Sequence, residues 1–211
     1  MTSLRARSLL VAAAACAALA GFWLARQLDR AGPQLASGTW LPQPKAVTDF
    51  QLTDTTGRPF TRRDLAGAPT LVFFGFTHCP DVCPTTLLKL AQISRQAGIE
   101  GLRVLFVSVD PQRDTPAVLG MYLHAFDRHF QGITGDGRVI AALAANFGVA
   151  VSRVDLPGGD YTMDHSAVVF LLDRAARIAA IFTAPFDVAA VTADLRRAAP
   201  YLGAGRARGA T

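Results

Sequence analysis

The chain has 211 residues, 51% of them hydrophobic and 18% charged, with a formal charge of +5. That length supplies one core of ordinary domain size plus an appendage, and it argues against a multidomain assembly. The first 30 residues hold four arginines against one aspartate, which leaves 17 of the 21 Lys and Arg and 15 of the 16 Asp and Glu for the rest; a body so close to neutral offers no basic patch of the kind that grips nucleic acid.

The chain opens on an uninterrupted apolar run from Leu9 to Ala25, with Arg5 and Arg7 before it and Arg26 after it. As a helix it would span roughly 26 Å, close to the hydrocarbon thickness of a bilayer. Residues 1–30 therefore read as a membrane anchor. A cleaved signal peptide is the alternative, because Ala18-Leu19-Ala20 is an A-x-A step, although the run continues past it through Phe22, Trp23 and Leu24. Under either reading the remainder is exported, with a bacterial inner membrane and its periplasmic face as the expected setting. Cys16 lies inside the run and reads as a small embedded residue. Lipid attachment is the sharper alternative there, but Ala13-Ala14-Ala15 lacks the leucine such sites usually carry. Two cysteines are left for an oxidising compartment, Cys79 and Cys83.

Residues 31–47 contain Pro33, Pro42 and Pro44 without periodicity and read as a linker. A domain is expected over 48–203, with 204–211 a frayed tail. DFQLTDTTGRPF alternates apolar and polar residues around Thr56-Gly57, as a hairpin would. TLVFFGF predicts a buried strand, and CPTTLLKLAQISRQAG a helix with Pro84 suited to its first position and Leu87, Leu88 and Leu90 on one face. RVLFVSVD predicts a second buried strand. The helix TPAVLGMYLHAF follows, capped by Thr115 with Pro116 at its start. FQGIT reads as a short strand, DGRVIAALAANFG as a helix stopped by Gly148, and VAVSRVD as a strand. SAVVFLLD and RIAAIF form a strand pair across Asp173-Arg174 before a closing helix, DVAAVTADLRRAAPYL. This order argues an α/β fold with a mixed central sheet.

GFTHCPDVCP then falls where the first core strand gives way to the first helix, at the carboxyl end of a strand, where ligand sites of open α/β sheets lie. A helix N-terminus favours thiolate, the form that attacks disulfides and binds metal. Cys79 and Cys83 are compatible with a structural disulfide, a redox couple or a clamp for a soft ion such as Cu(I) or Zn(II), and a stable metal site asks for a further ligand. Of the four histidines, His124 and His129 read as surface positions around the second helix, and His78, adjacent to Cys79, points away from it. His165 stands at the start of a strand after a glycine-containing loop; a ligand role competes there with capping or packing. Asp81 reads as a solvated turn residue, with a weak extra ligand or a hydrogen-bond acceptor beside the site as alternatives; Asp164 is placed to hydrogen-bond near His165, although neighbouring side chains of an extended segment usually point apart; and Asp110, Arg113 and Asp114 read as a structured loop and helix cap.

Three segments together, GFTHCPDVCP, VSVDPQRDTP and DHSAVVFLLD, resemble the Sco (Sco/SenC) family of copper metallochaperones, and the likeness extends from about Asp49 to Tyr201. The resemblance implies a thioredoxin-like fold with an added N-terminal β-hairpin behind a single transmembrane anchor. It implies one copper ion held by Cys79, Cys83 and His165, and delivery of that ion to the dinuclear copper centre of a cytochrome c oxidase subunit during assembly. No enzymatic residue is expected under that reading. A thiol-disulfide reductase that uses Cys79 and Cys83 to keep the oxidase cysteines reduced is the competing function, and a domain with a mere structural disulfide is the third. Expected partners are the oxidase copper domain, the membrane and other periplasmic copper carriers.

Overall fold

The computed structural model describes residues 13–23 and 32–203, which belong to two compact units, one ending at Gly32 and one starting at Pro33. Residues 13–23 are an exposed helical segment, here α1. Among the described residues no helix is long and apolar enough to cross a membrane. Both ends of the anchor expected over Leu9 to Ala25 lie outside the described residues, as does the tail expected over 204–211.

The second unit is built on an eight-stranded mixed sheet: β1 (Gly38–Ala46), β2 (Gln51–Asp54), β3 (Pro59–Thr61), β4 (Thr70–Gly75), β5 (Arg103–Ser108), β6 (Gln131–Thr134), β9 (Val168–Leu172) and β10 (Arg177–Thr183). Their spatial order is β1-β10-β9-β4-β5-β6-β2-β3. The centre, β4-β5-β6, is parallel, as two βα crossovers require. The pairs β9 with β4 and β10 with β9 are antiparallel, and the expected β2–β3 hairpin closes the far edge against β6. All six residues of β4 are buried, which is why its sequence reads as a continuous apolar run instead of an alternation.

Four helices cover the sheet: α2 (Val82–Gln96), α3 (Pro116–His124), α4 (Gly137–Phe147) and α5 (Val188–Ala198). Side chains alternate across β4, so Phe74 meets α4 through Phe147 while Phe73 meets Phe106, whose ring in turn meets Tyr122 of α3. Thr115 caps α3 by accepting from the Val118 N–H, with Pro116 in the first turn, and Gly148 ends α4 in the left-handed conformation at φ 78°, both as the sequence predicts.

Four readings are corrected. The linker expected over 31–47 is strand from Gly38 onward: β1 pairs with β10, and the domain begins before residue 48. Pro84 is the third helical residue, because α2 starts at Val82 behind Asp81. Leu87 and Leu90 are core, whereas Leu88 is 54% exposed and lies off their face. Finally, His165 ends a strand instead of starting one: β7 (Val151–Asp155) and β8 (Tyr161–His165) form a two-stranded hairpin of their own, outside the main sheet.

Candidate metal centre

The cysteine loop is fixed by where β4 stops. Gly75, the last residue of β4, has no side chain, and a Cβ there would lie 2.9 Å from the Cys83 sulfur and 2.8 Å from Phe106 Cε2. Glycine is thus required for α2 to set its first turn against the strand end. Cys83, the second residue of α2, is fully buried, while Cys79 in the preceding loop is half-buried. The Cys83 N–H donates to the Cys79 sulfur at 3.3 Å, so a helix N-terminal amide points at one thiol of the pair. Both thiols are free.

The β7–β8 hairpin brings the third group. His165 Nε2 lies 3.4 Å from the Cys83 sulfur, and the two sulfurs and the imidazole all lie within 4.8 Å of one another. Nδ1 lies 3.3 Å from the Ser166 carbonyl oxygen, which accepts its proton and leaves the Nε2 lone pair facing the sulfurs. Phe73 and Phe76 stand edge-on around the imidazole, with ring centroids 6.0 and 5.9 Å away. Burial holds the His165 imidazole below its ordinary value, against the opposing pulls of the Ser166 carbonyl and Asp164, which favours the neutral form that can donate a lone pair. Burial likewise pushes the Cys83 thiol well up, and the Cys79 thiol adds to the shift while a backbone hydrogen bond with Phe76 opposes it. The raised value favours the protonated Cys83 thiol, and a soft cation displaces thiol protons as it binds.

Two sulfurs and one nitrogen at this spacing suit a soft ion in three-coordination, and among the described residues no other group of three such side chains comes together. His124 and His129 instead line a cavity of about 550 Å³ with Arg103 and Gln131, at the end where β5 and β6 begin, opposite the cysteine loop. His78 is exposed, with Nδ1 against the Thr77 hydroxyl. Asp81 is an exposed residue whose carboxylate accepts from the Thr85 hydroxyl. Asp164 is exposed and paired across the hairpin with Ser152, so orientation of His165 falls to the Ser166 backbone, which no side-chain pattern announces. The sequence reading also missed that Asp110 and Asp114 are buried, at 2% and 0% exposure. Their spacing from Arg113 was the available signal.

Against known proteins, residues 40–200 match the SCO1/SenC family. The bovine mitochondrial protein SCO2 homolog is 37% identical over 171 residues, 78% of this chain and 64% of its own length. The chain thus spans a little under two thirds of that curated relative. The Bradyrhizobium japonicum ScoI structure with copper bound is 43% identical, covers 72% of this chain and 98% of its own, and superposes with a TM-score of 0.66. Arabidopsis thaliana ScoI with copper bound is 30% identical, covers 74% of this chain and 99% of its own, with a TM-score of 0.70. The mixed α/β, thioredoxin-like architecture is common to this chain and these structures.

Proposed function

The chain belongs to the SCO1/SenC family, and from that footing we propose that it is a copper metallochaperone: it binds one copper ion through Cys79, Cys83 and His165 and delivers it to the dinuclear copper centre of a cytochrome c oxidase subunit. The observation that carries this reading is the convergence of the His165 Nε2 lone pair on both sulfurs. Two thiolates and an imidazole satisfy Cu(I) in three-coordination and accept Cu(II) when a further oxygen or nitrogen donor approaches. The copper bound in two solved relatives supports the choice of ion.

Loading is coupled to redox state. Oxidation of the two thiols to a disulfide releases two electrons and two protons to an acceptor and removes both sulfur ligands at once. The same pair serves the second reading, a thiol-disulfide reductase acting on the oxidase cysteines, which is favoured by one feature: Cys79 is the more exposed sulfur, placed to attack, and Cys83 the buried one, placed to resolve. Disulfide exchange assigns no duty to the imidazole, and delivery therefore stands first. The apolar run from Leu9 to Ala25 supports an anchor in a bacterial inner membrane with the second unit on the periplasmic face, where other copper carriers would load it. The test is metal analysis of the reduced full chain after anaerobic loading with Cu(I): one equivalent is expected, and a chain that retains none overturns the proposal.

A further inference from the structure

Of the three members of the cluster, Cys79 lies on the cysteine loop, Cys83 in the first turn of α2 and His165 on a hairpin that pairs with no strand of the main sheet. Val151 and Met163 pack against the core and His165 stands against Phe73 and Phe76, and the hairpin is further held by part-buried polar contacts from the segment that starts at Ser108, the last residue of β5, and runs to Asp114 before α3. Asp114 accepts from the Thr77 N–H at 3.1 Å, from the Thr77 hydroxyl and from the Ser108 hydroxyl at 2.6 Å, and Thr77 lies two residues before Cys79. On the other side, Asp110 accepts from the Tyr161 hydroxyl at 2.8 Å and from Arg113 Nε. Arg113 Nη1 donates to the Tyr161 carbonyl at 3.0 Å. Its guanidinium carbon lies 3.8 Å from the centroid of the Tyr161 ring, and that of Arg153 lies 3.7 Å from the same centroid. Two guanidinium groups that close to one centroid occupy opposite faces, so Tyr161 is clamped between them.

None of this serves α3, which is already capped by Thr115. Buried carboxylates are costly unless matched, and the matches that leave the segment run from Asp114 to Thr77 of the cysteine loop and from Asp110 to Tyr161 of the His165 hairpin, with Ser108 and Arg113 supplying the rest. We propose that Asp110, Arg113, Asp114 and Tyr161 form a positioning bridge that clamps the β7–β8 hairpin to the cysteine loop, so that His165 is presented to the two sulfurs before the ion arrives. The bridge rests on the ligand set proposed above. It acts through His165 and touches no ion itself. By ordering the hairpin during folding, it removes that entropy cost from the binding step.

The test uses the reduced, metal-free full chain in detergent micelles, with its four histidines isotopically labelled. The edge-on rings of Phe73 and Phe76 are expected to displace the His165 ring-proton resonances from those of exposed His78. In Tyr161→Ala these resonances are expected to move to the position of His78, and Cu(I) affinity to fall about 10–100-fold, the usual loss when a ligand's supporting partner is removed. The fall should match that of His165→Ala and not add to it in the double variant. Mild oxidation should still give the Cys79–Cys83 disulfide in wild-type yield. Unchanged His165 resonances in Tyr161→Ala overturn the bridge. Should Tyr161→Ala fail to fold by circular dichroism, Tyr161→Phe and Arg153→Gln carry the test: each is expected to shift the resonances part of the way, and wild-type resonances in both overturn it. A His165→Ala chain that binds copper as tightly as wild type refutes the ligand set instead, and the resonance measurement still decides whether the bridge holds the hairpin.

Discussion

At the residue scale, the candidate site rests on one half-buried and one fully buried thiol. Cys79 and Cys83 sit at a strand-to-helix junction that the apolar run before them and the helical spacing after them both mark. In the sequence His165 is one of four histidines, singled out only by the resemblance its segment carries, because what brings it near the sulfurs is an excursion of the chain, 82 residues on from Cys83. The carbonyl of Ser166, which fixes the imidazole tautomer, left no trace in the sequence at all. Nor did the duty of Gly75, whose missing Cβ makes room for the Cys83 sulfur. Gly75→Ala is expected to destabilise the fold by about 1–3 kcal/mol, the usual cost of overpacking a tight contact, and to lower the urea midpoint accordingly. A midpoint equal to wild type would mean that the loop yields freely and that the sulfur is not held against the strand.

At the element scale, strands buried on both faces read clearly, and β1 did not. Pro42 and Pro44 give GTWLPQPKA the look of a tether, yet β1 is an edge strand, and the irregular register between Trp40 and Lys45 spans both prolines. The start of β1 is fastened from outside the sheet: buried Asp194 of α5 accepts from the N–H groups of Ala36, Ser37 and Gly38 at 2.7 to 3.1 Å. Burial alone would raise the Asp194 carboxyl, but those amides, the Ser37 hydroxyl and Arg197 hold it below its ordinary value. A carboxylate depressed in the folded state contributes stability that is fully present above its unfolded value, about 3.9, and is lost as pH falls through the folded value. Asp194→Asn should therefore be less stable than wild type by a constant margin from pH 7 to about 5, and the margin should shrink toward more acid pH. A margin independent of pH throughout would place the stabilisation elsewhere. The β7–β8 hairpin was harder to place for a different reason: its partners are side chains of a loop, and periodicity reports strands but not what a strand leans on.

At the scale of the whole molecule, the βα order, the mixed sheet and the far-edge hairpin all follow from apolar periodicity and turn residues, whereas the family is legible only in the three motifs. Because the sheet starts at Gly38 and not after Val47, only residues 26–37 are left between the apolar run and the first strand. Handover of an ion by ligand exchange, as proposed for this site, needs the imidazole as well as the thiolates, whereas reduction of a partner disulfide needs the thiolates alone. The direct measurement is to mix Cu-loaded wild-type, His165→Ala and Cys79→Ser chains with the reduced, metal-free copper domain of the oxidase subunit and to follow that domain's copper absorption band. His165→Ala is expected to fail to metallate it as completely as Cys79→Ser does. Normal metallation by His165→Ala alongside failure of Cys79→Ser would contradict delivery and leave the chain a thiol-disulfide reductase.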